Sequence, residues 1–131
     1  MSKYVDLTKI LTKLPDYVFD YIEVAYDGES VNTQIGYSID IKTFFEYLIK
    51  FKFKGITPED ITTDMLNEVT LRDLNGFKAY LREYETEYVS VSGRVIKRIR
   101  TNNEYGINRK LSGIRGLFMY LYKNDYLDHN I

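Results

Sequence analysis

The chain has no cysteine, and its one histidine, His129, stands two residues from the end of 131. Without thiols there is neither a disulfide framework nor a thiolate metal site. A lone imidazole does not build a zinc or iron centre. No apolar run approaches the ~20 residues of a membrane-spanning helix, and Met1 opens no signal-peptide pattern. The reading from these absences is a cytoplasmic protein with no metal, no cofactor and no membrane partner. Charge of either sign is also nearly absent in net terms, at −1, which argues against a uniformly basic nucleic-acid binder. What remains is 44% hydrophobic and 28% charged, the composition of a globular domain. At this length one core can bury roughly two thirds of the unfolded surface.

The charge is segregated along the chain. Residues 58–89 hold Arg72, Lys78 and Arg82 against eight Asp/Glu, a balance of −5. Residues 90–123 hold eight Lys/Arg against Glu104 alone, a balance of +7. Such segregation can give a near-neutral molecule one positive face; a solvated surface with accidental clustering is the plain alternative.

Hydrophobic spacing predicts helices. Pro15 suits a first turn, and Leu14, Val18, Tyr21, Ile22 and Ala25 follow at helical steps up to Asp27-Gly28. Ser30 is a good N-cap for a second helix whose stripe is Tyr37, Ile41, Phe44, Leu48 and Phe51, closed by Gly55. One short helical turn fits 60–69. Thr70 with Asp73 three residues on approximates a capping box for a third long helix striped by Leu74, Phe77, Leu81 and Tyr84. The stretch 88–106, "YVSVSGRVIKRIRTNNEYG", loses that rhythm. Its β-branched residues around Ser92-Gly93 permit a hairpin, and a disordered loop is the alternative. The last helix, about 106–124, buries Ile107, Leu111, Ile114, Phe118 and Leu121. Arg109, Ser112, Gly113, Gly116 and Tyr120 cluster on its far face by the ~100° step. Glycines in a helix cost roughly 1 kcal/mol each against alanine, so two on one face imply a close neighbour: either an external partner or another element of the domain.

Three stretches in this order resemble the core-binding domain of tyrosine recombinases, the phage-integrase family. "LPDYVFDYI" resembles the family's first helix. Ser30, Thr33, Tyr37, Asp40, Phe44 and Leu48 match its Ser-x-x-Thr-x-x-x-Tyr-x-x-Asp pattern with the Phe and Leu that follow. Asn108, Arg109, Lys110, Leu111, Ser112, Ile114, Arg115, Phe118, Tyr120 and Leu121 match its Asn-Arg-basic-Leu-Ser signature. The resemblance implies an all-α, SAM-like orthogonal bundle of four main helices plus a short one, with a β-hairpin or loop insertion at about 88–106. It divides the chain into an N-terminal tail (1–13), a core-binding domain (14–126) and the start of a linker (127–131) to a catalytic domain that this chain lacks.

The same resemblance implies double-stranded DNA as partner, gripped as half of a clamp whose other half is that catalytic domain, with a recombinase multimer assembled on the DNA. The family's chemistry uses a His-x-x-Arg motif and a tyrosine nucleophile. His129 is followed only by Asn130 and Ile131, so none of the thirteen tyrosines is assigned a catalytic role and this chain is read as not itself an enzyme. The DNA-contact candidates are Thr33 and Gln34 in the second helix, Lys97, Arg98 and Arg100 in the insertion, and Asn108, Arg109, Lys110, Ser112 and Arg115 in the last helix. Helix N-termini and cations attract phosphates, and Ser and Asn hydrogen-bond phosphates or base edges. Arg109 and Lys110 lie outside the buried stripe, which predicts that fold stability barely depends on them. Arg115 flanks the stripe, where an internal salt bridge competes with DNA contact. The rival function is a helical protein–protein interaction module without DNA binding.

Overall fold

Residues 31–51 run as one helix because two conditions meet. Ser30 caps the start, its Oγ accepting the Thr33 N–H at 3.2 Å, and apolar residues recur on one face for five turns. In a computed structural model, which describes residues 3–131, this helix is the central strut. It is α3 (Val31–Phe51), flanked in chain order by α1 (Lys3–Leu11), α2 (Asp16–Ala25), α4 (Thr63–Leu66), α5 (Leu71–Arg82) and α6 (Glu104–Lys123). A 3₁₀ turn at Pro58–Asp60 precedes α4. Between α5 and α6 stand two antiparallel strands, β1 (Glu83–Val89) and β2 (Val95–Thr101).

The core forms where α2, α5 and α6 cross α3. Ile41, Phe44, Phe45 and Leu48 are fully enclosed, and Phe44 meets Phe77 and Phe118 edge-on at 5.0 and 6.2 Å. Burying each such ring stabilises by roughly 1.5–3 kcal/mol. The predicted stripe of α6 is buried throughout, as are Leu74, Phe77 and Leu81 of α5. Thr70 and Asp73 cap α5 reciprocally, with Thr70 N–H donating to Asp73 at 2.8 Å and Asp73 N–H to Thr70 Oγ1 at 3.3 Å. Lys52 reaches the same carboxylate at 3.2 Å, tying the end of α3 to the start of α5.

Four expectations need correction. The segment read as a tail, 1–13, contributes α1, because Leu7 and Leu11 lie four residues apart and both bury against the core. Helix α3 stops at Phe51, before Gly55, which instead takes φ +90 in the following turn. The domain is mostly helical but not all-α: the 88–106 insertion is a hairpin and not a loop. It opens earlier than expected, at Glu83, where "EYETEYV" switches to a two-residue period, so Tyr84 belongs to β1 and not to the stripe of α5. The residues after α6 turn back at Asp125, φ 64. Leu127 enters the core, and the Asp128 N–H donates to Asn67 at 2.9 Å.

Candidate nucleic-acid interface

Helix α6 begins where Asn103 accepts the Gly106 N–H at 2.9 Å and presents three different sides. Its core stripe faces α3 and α5. A second side, Arg109, Gly113, Gly116 and Tyr120, lies under tyrosines of α2 and α3. The third side is open to solvent: Tyr105, Asn108, Ser112, Arg115, Met119 and Tyr122, at alternating steps of three and four.

The two glycines therefore serve packing inside the domain, the second of the two alternatives, and the face they share is covered by other elements. A Cβ on Gly113 would lie 2.8 Å from the Tyr37 ring, and one on Gly116 would collide with the Tyr21 hydroxyl. That hydroxyl also donates to the Gly113 carbonyl at 3.3 Å. From there a column of rings continues. Tyr21 meets Tyr26 edge-on at 5.7 Å, Tyr26 stacks on Tyr37 at 4.3 Å, and the Arg109 guanidinium lies 5.9 Å from the Tyr37 ring centre.

Arg109 and Lys110 converge on Asp40, whose side chain is 1% exposed. Arg109 grips it with two hydrogen bonds, 2.8 and 3.3 Å, and Lys110 donates one of 2.9 Å. The expectation that stability barely depends on these cations fails here. An isolated buried carboxylate is strongly penalised and needs a partner, and these two side chains supply it. One carboxylate against two cations leaves a local surplus of one positive charge, held near the first turns of α6. Arg109 keeps 38% of its side chain in solvent.

The other candidates divide. Asn108, Ser112 and Arg115 come together on the open side of α6, and among the described residues Arg115 makes no ion pair, so the competing internal salt bridge does not form. Thr33 and Gln34 lie in the first turn of α3. Thr33 accepts from Ser30 Oγ at 3.0 Å and Gln34 donates to the Glu29 carbonyl at 3.2 Å. Lys97, Arg98 and Arg100 stand on β2, with Lys97 already paired to Glu85 and Glu87 at 3.6 and 3.7 Å. Asp40, which is not among the contact candidates, is the residue that joins two of them. It belongs to the matched motif, but its partners lie far off in sequence.

Among the described residues no group of three or more His, Cys, Asp or Glu could hold a metal, and no helix is long and apolar enough to cross a membrane. Burial pushes the Tyr17 and Tyr21 hydroxyls well above the ordinary tyrosine range, which makes them poor nucleophiles and good packing groups.

The curated relatives include tyrosine recombinase XerS of Lactococcus lactis subsp. cremoris, 31% identical in strain SK11 and 30% in strain MG1363, and XerS of L. lactis subsp. lactis strain IL1403, 30% identical. Each alignment covers 88% of this chain and 32% of the relative, so the chain spans about a third of their length. No solved structure matches. The phage integrase SAM-like domain matches residues 17–131, and the chain belongs to that family.

Proposed function

We propose that this chain binds double-stranded DNA as the core-binding domain of a site-specific tyrosine recombinase. The cutting and rejoining chemistry would lie in a separate catalytic domain that completes the clamp, within a recombinase multimer on DNA in the cytoplasm. The observation that carries the reading is the open side of α6. It sets Asn108, Ser112 and the unpaired Arg115 on successive turns of one helix, beside the surplus positive charge that Arg109 and Lys110 hold over Asp40. The α6 start adds free N–H groups and the positive end of a helix dipole. Thr33 and Gln34 add polar groups from α3, whose next turn carries Tyr37 onto Gly113. A cationic and hydrogen-bonding helix face of this kind suits phosphates and base edges.

The test is fluorescence anisotropy of a labelled duplex over a salt series. Each phosphate contact contributes about 0.9 to the slope of log K against log salt. Arg115→Ala should flatten that slope by about one such step, and Asn108→Ala with Ser112→Ala should weaken binding with little change in slope. Neither change should shift the melting temperature, because all three side chains are exposed. Binding that ignores salt, or is indifferent to these changes, would favour the protein–protein module.

A further inference from the structure

The register of the hairpin sorts its charges by face. Side chains alternate along a strand and cross-strand partners share a face. The pairs Glu83–Thr101, Glu85–Ile99, Glu87–Lys97 and Val89–Val95 therefore make one face, and Tyr84–Arg100, Thr86–Arg98 and Tyr88–Ile96 make the other. The first face carries three glutamates and one lysine, and every residue on it is exposed. The second carries two arginines and no acid. It overhangs α3 across an open cleft of about 1070 Å³ whose walls include Arg100, Tyr84 and Tyr88 on the ribbon side and Lys42, Glu46 and Lys50 on the helix side.

The carboxylates at the cleft rim are already engaged. Glu46 pairs with Lys42 at 3.6 Å, and Glu85 and Glu87 pair with Lys97 from the opposite face. Among the described residues Arg98, Arg100 and Lys50 have no carboxylate partner. Each is instead associated with aromatic surface or left open. Arg98 donates to the Tyr88 hydroxyl at 3.0 Å with its guanidinium 5.0 Å from that ring's centre. Lys50 lies 5.4 and 5.8 Å from the ring centres of Phe51 and Tyr80. Aromatic contacts orient a cation without neutralising it.

We infer that the arginine face of the ribbon, with Lys50 opposite, is a second contact for the phosphate backbone of duplex DNA, in addition to the open side of α6. A two-stranded ribbon is slim enough to lie against a groove edge, and unneutralised cations on one face suit a polyanion. This rests on the DNA-binding reading. The contact is with phosphates, so it adds affinity to all sequences alike and no base preference.

The experiment uses a labelled duplex of arbitrary sequence and the same salt series. Arg98→Gln with Arg100→Gln should flatten the slope of log K against log salt by up to about 2, with only a small change in melting temperature because both side chains are exposed. Lys97→Gln, on the other face, should keep nearly the wild-type slope. The inference is overturned if the double variant retains the wild-type slope, or if Lys97→Gln loses as much. Wild-type protein and Arg115→Ala run alongside. Wild-type protein that fails to bind overturns the DNA reading and this inference together. Loss on Arg115→Ala with none on the ribbon variant overturns the ribbon alone.

Discussion

Arg109 and Asp40, 69 positions apart in the chain, meet through a forked pair of hydrogen bonds that fastens α6 to the middle of α3. Lys110 grips the same carboxylate from the next position, so the anion is neutralised twice and the cations can substitute for one another.

That redundancy predicts non-additive losses. Arg109→Ala or Lys110→Ala alone should destabilise by roughly 1.5–3 kcal/mol, the range for a hydrogen bond to a charged group. The double variant should lose more than the sum of the two, because only then is Asp40 buried without a cation. Asp40→Ala should cost about 3–5 kcal/mol. Urea unfolding of the four proteins checks this; strict additivity would mean the cations act independently of Asp40.

Gly116 and Tyr21 predict a rescue. Alanine in a helix ordinarily gains about 1 kcal/mol over glycine, but Gly116→Ala should instead lose about 1–3 kcal/mol through overpacking. The atom in the way is the Tyr21 hydroxyl, and the next ring atom stands 3.4 Å off. Tyr21→Phe should therefore relieve most of the penalty, leaving the double variant more stable than Gly116→Ala. Thermal melts of the cycle test it. Equal destabilisation with and without the hydroxyl would place the clash elsewhere.

The pH dependence has two limbs. Burial raises the Tyr17 and Tyr21 hydroxyls, so the folded state holds protons that the unfolded chain gives up near pH ~10. That contribution is full below pH ~10 and is lost as pH rises above it. In acid the sign reverses. The Thr57 N–H and hydroxyl hold Asp60 below the usual carboxylate range. For Asp73, partial burial works upward but is outweighed by the Thr70 N–H and Lys52. Their contribution is present above pH ~3.9 and fades as pH falls through the lowered values. Ultraviolet titration should show the Tyr17 and Tyr21 hydroxyls ionising only with unfolding. A single smooth tyrosine transition without unfolding would contradict the packing.

The stripes of α3, α5 and α6 are legible in sequence, except at the ends where Phe51 is exposed and Tyr84 passes into β1, because a single helical period, repeated for three turns or more, leaves few alternatives, and the caps Ser30 and Thr70 punctuate it. The hairpin is half legible. Tyr84 satisfies both the helical step from Leu81 and the two-residue alternation of β1, so the switch at Glu83 is masked. Helix α1 leaves only Leu7 and Leu11 as a signal, too short a period to separate from a tail. The sides of α6 are the instructive case. A helical wheel assigns angles to Arg109, Gly113 and Gly116 but cannot say which neighbour covers them, and Asp40, Tyr37 and Tyr21 arrive from α3 and α2 by long-range packing. Family resemblance carried Asp40 into view as a motif position without revealing what it touches.

The ribbon is a sheet of only two strands, so each strand has one edge with unpaired backbone N–H and C=O groups. Such an edge is a template on which another chain can add a strand. Val89, Val95 and Ile99 are exposed there, and β-branched residues favour strand addition. The glutamates at 83, 85 and 87, with Lys97 opposite, therefore act as guards against association. A solution that screens them, at high salt, should turn this exposed ribbon into an adhesive one.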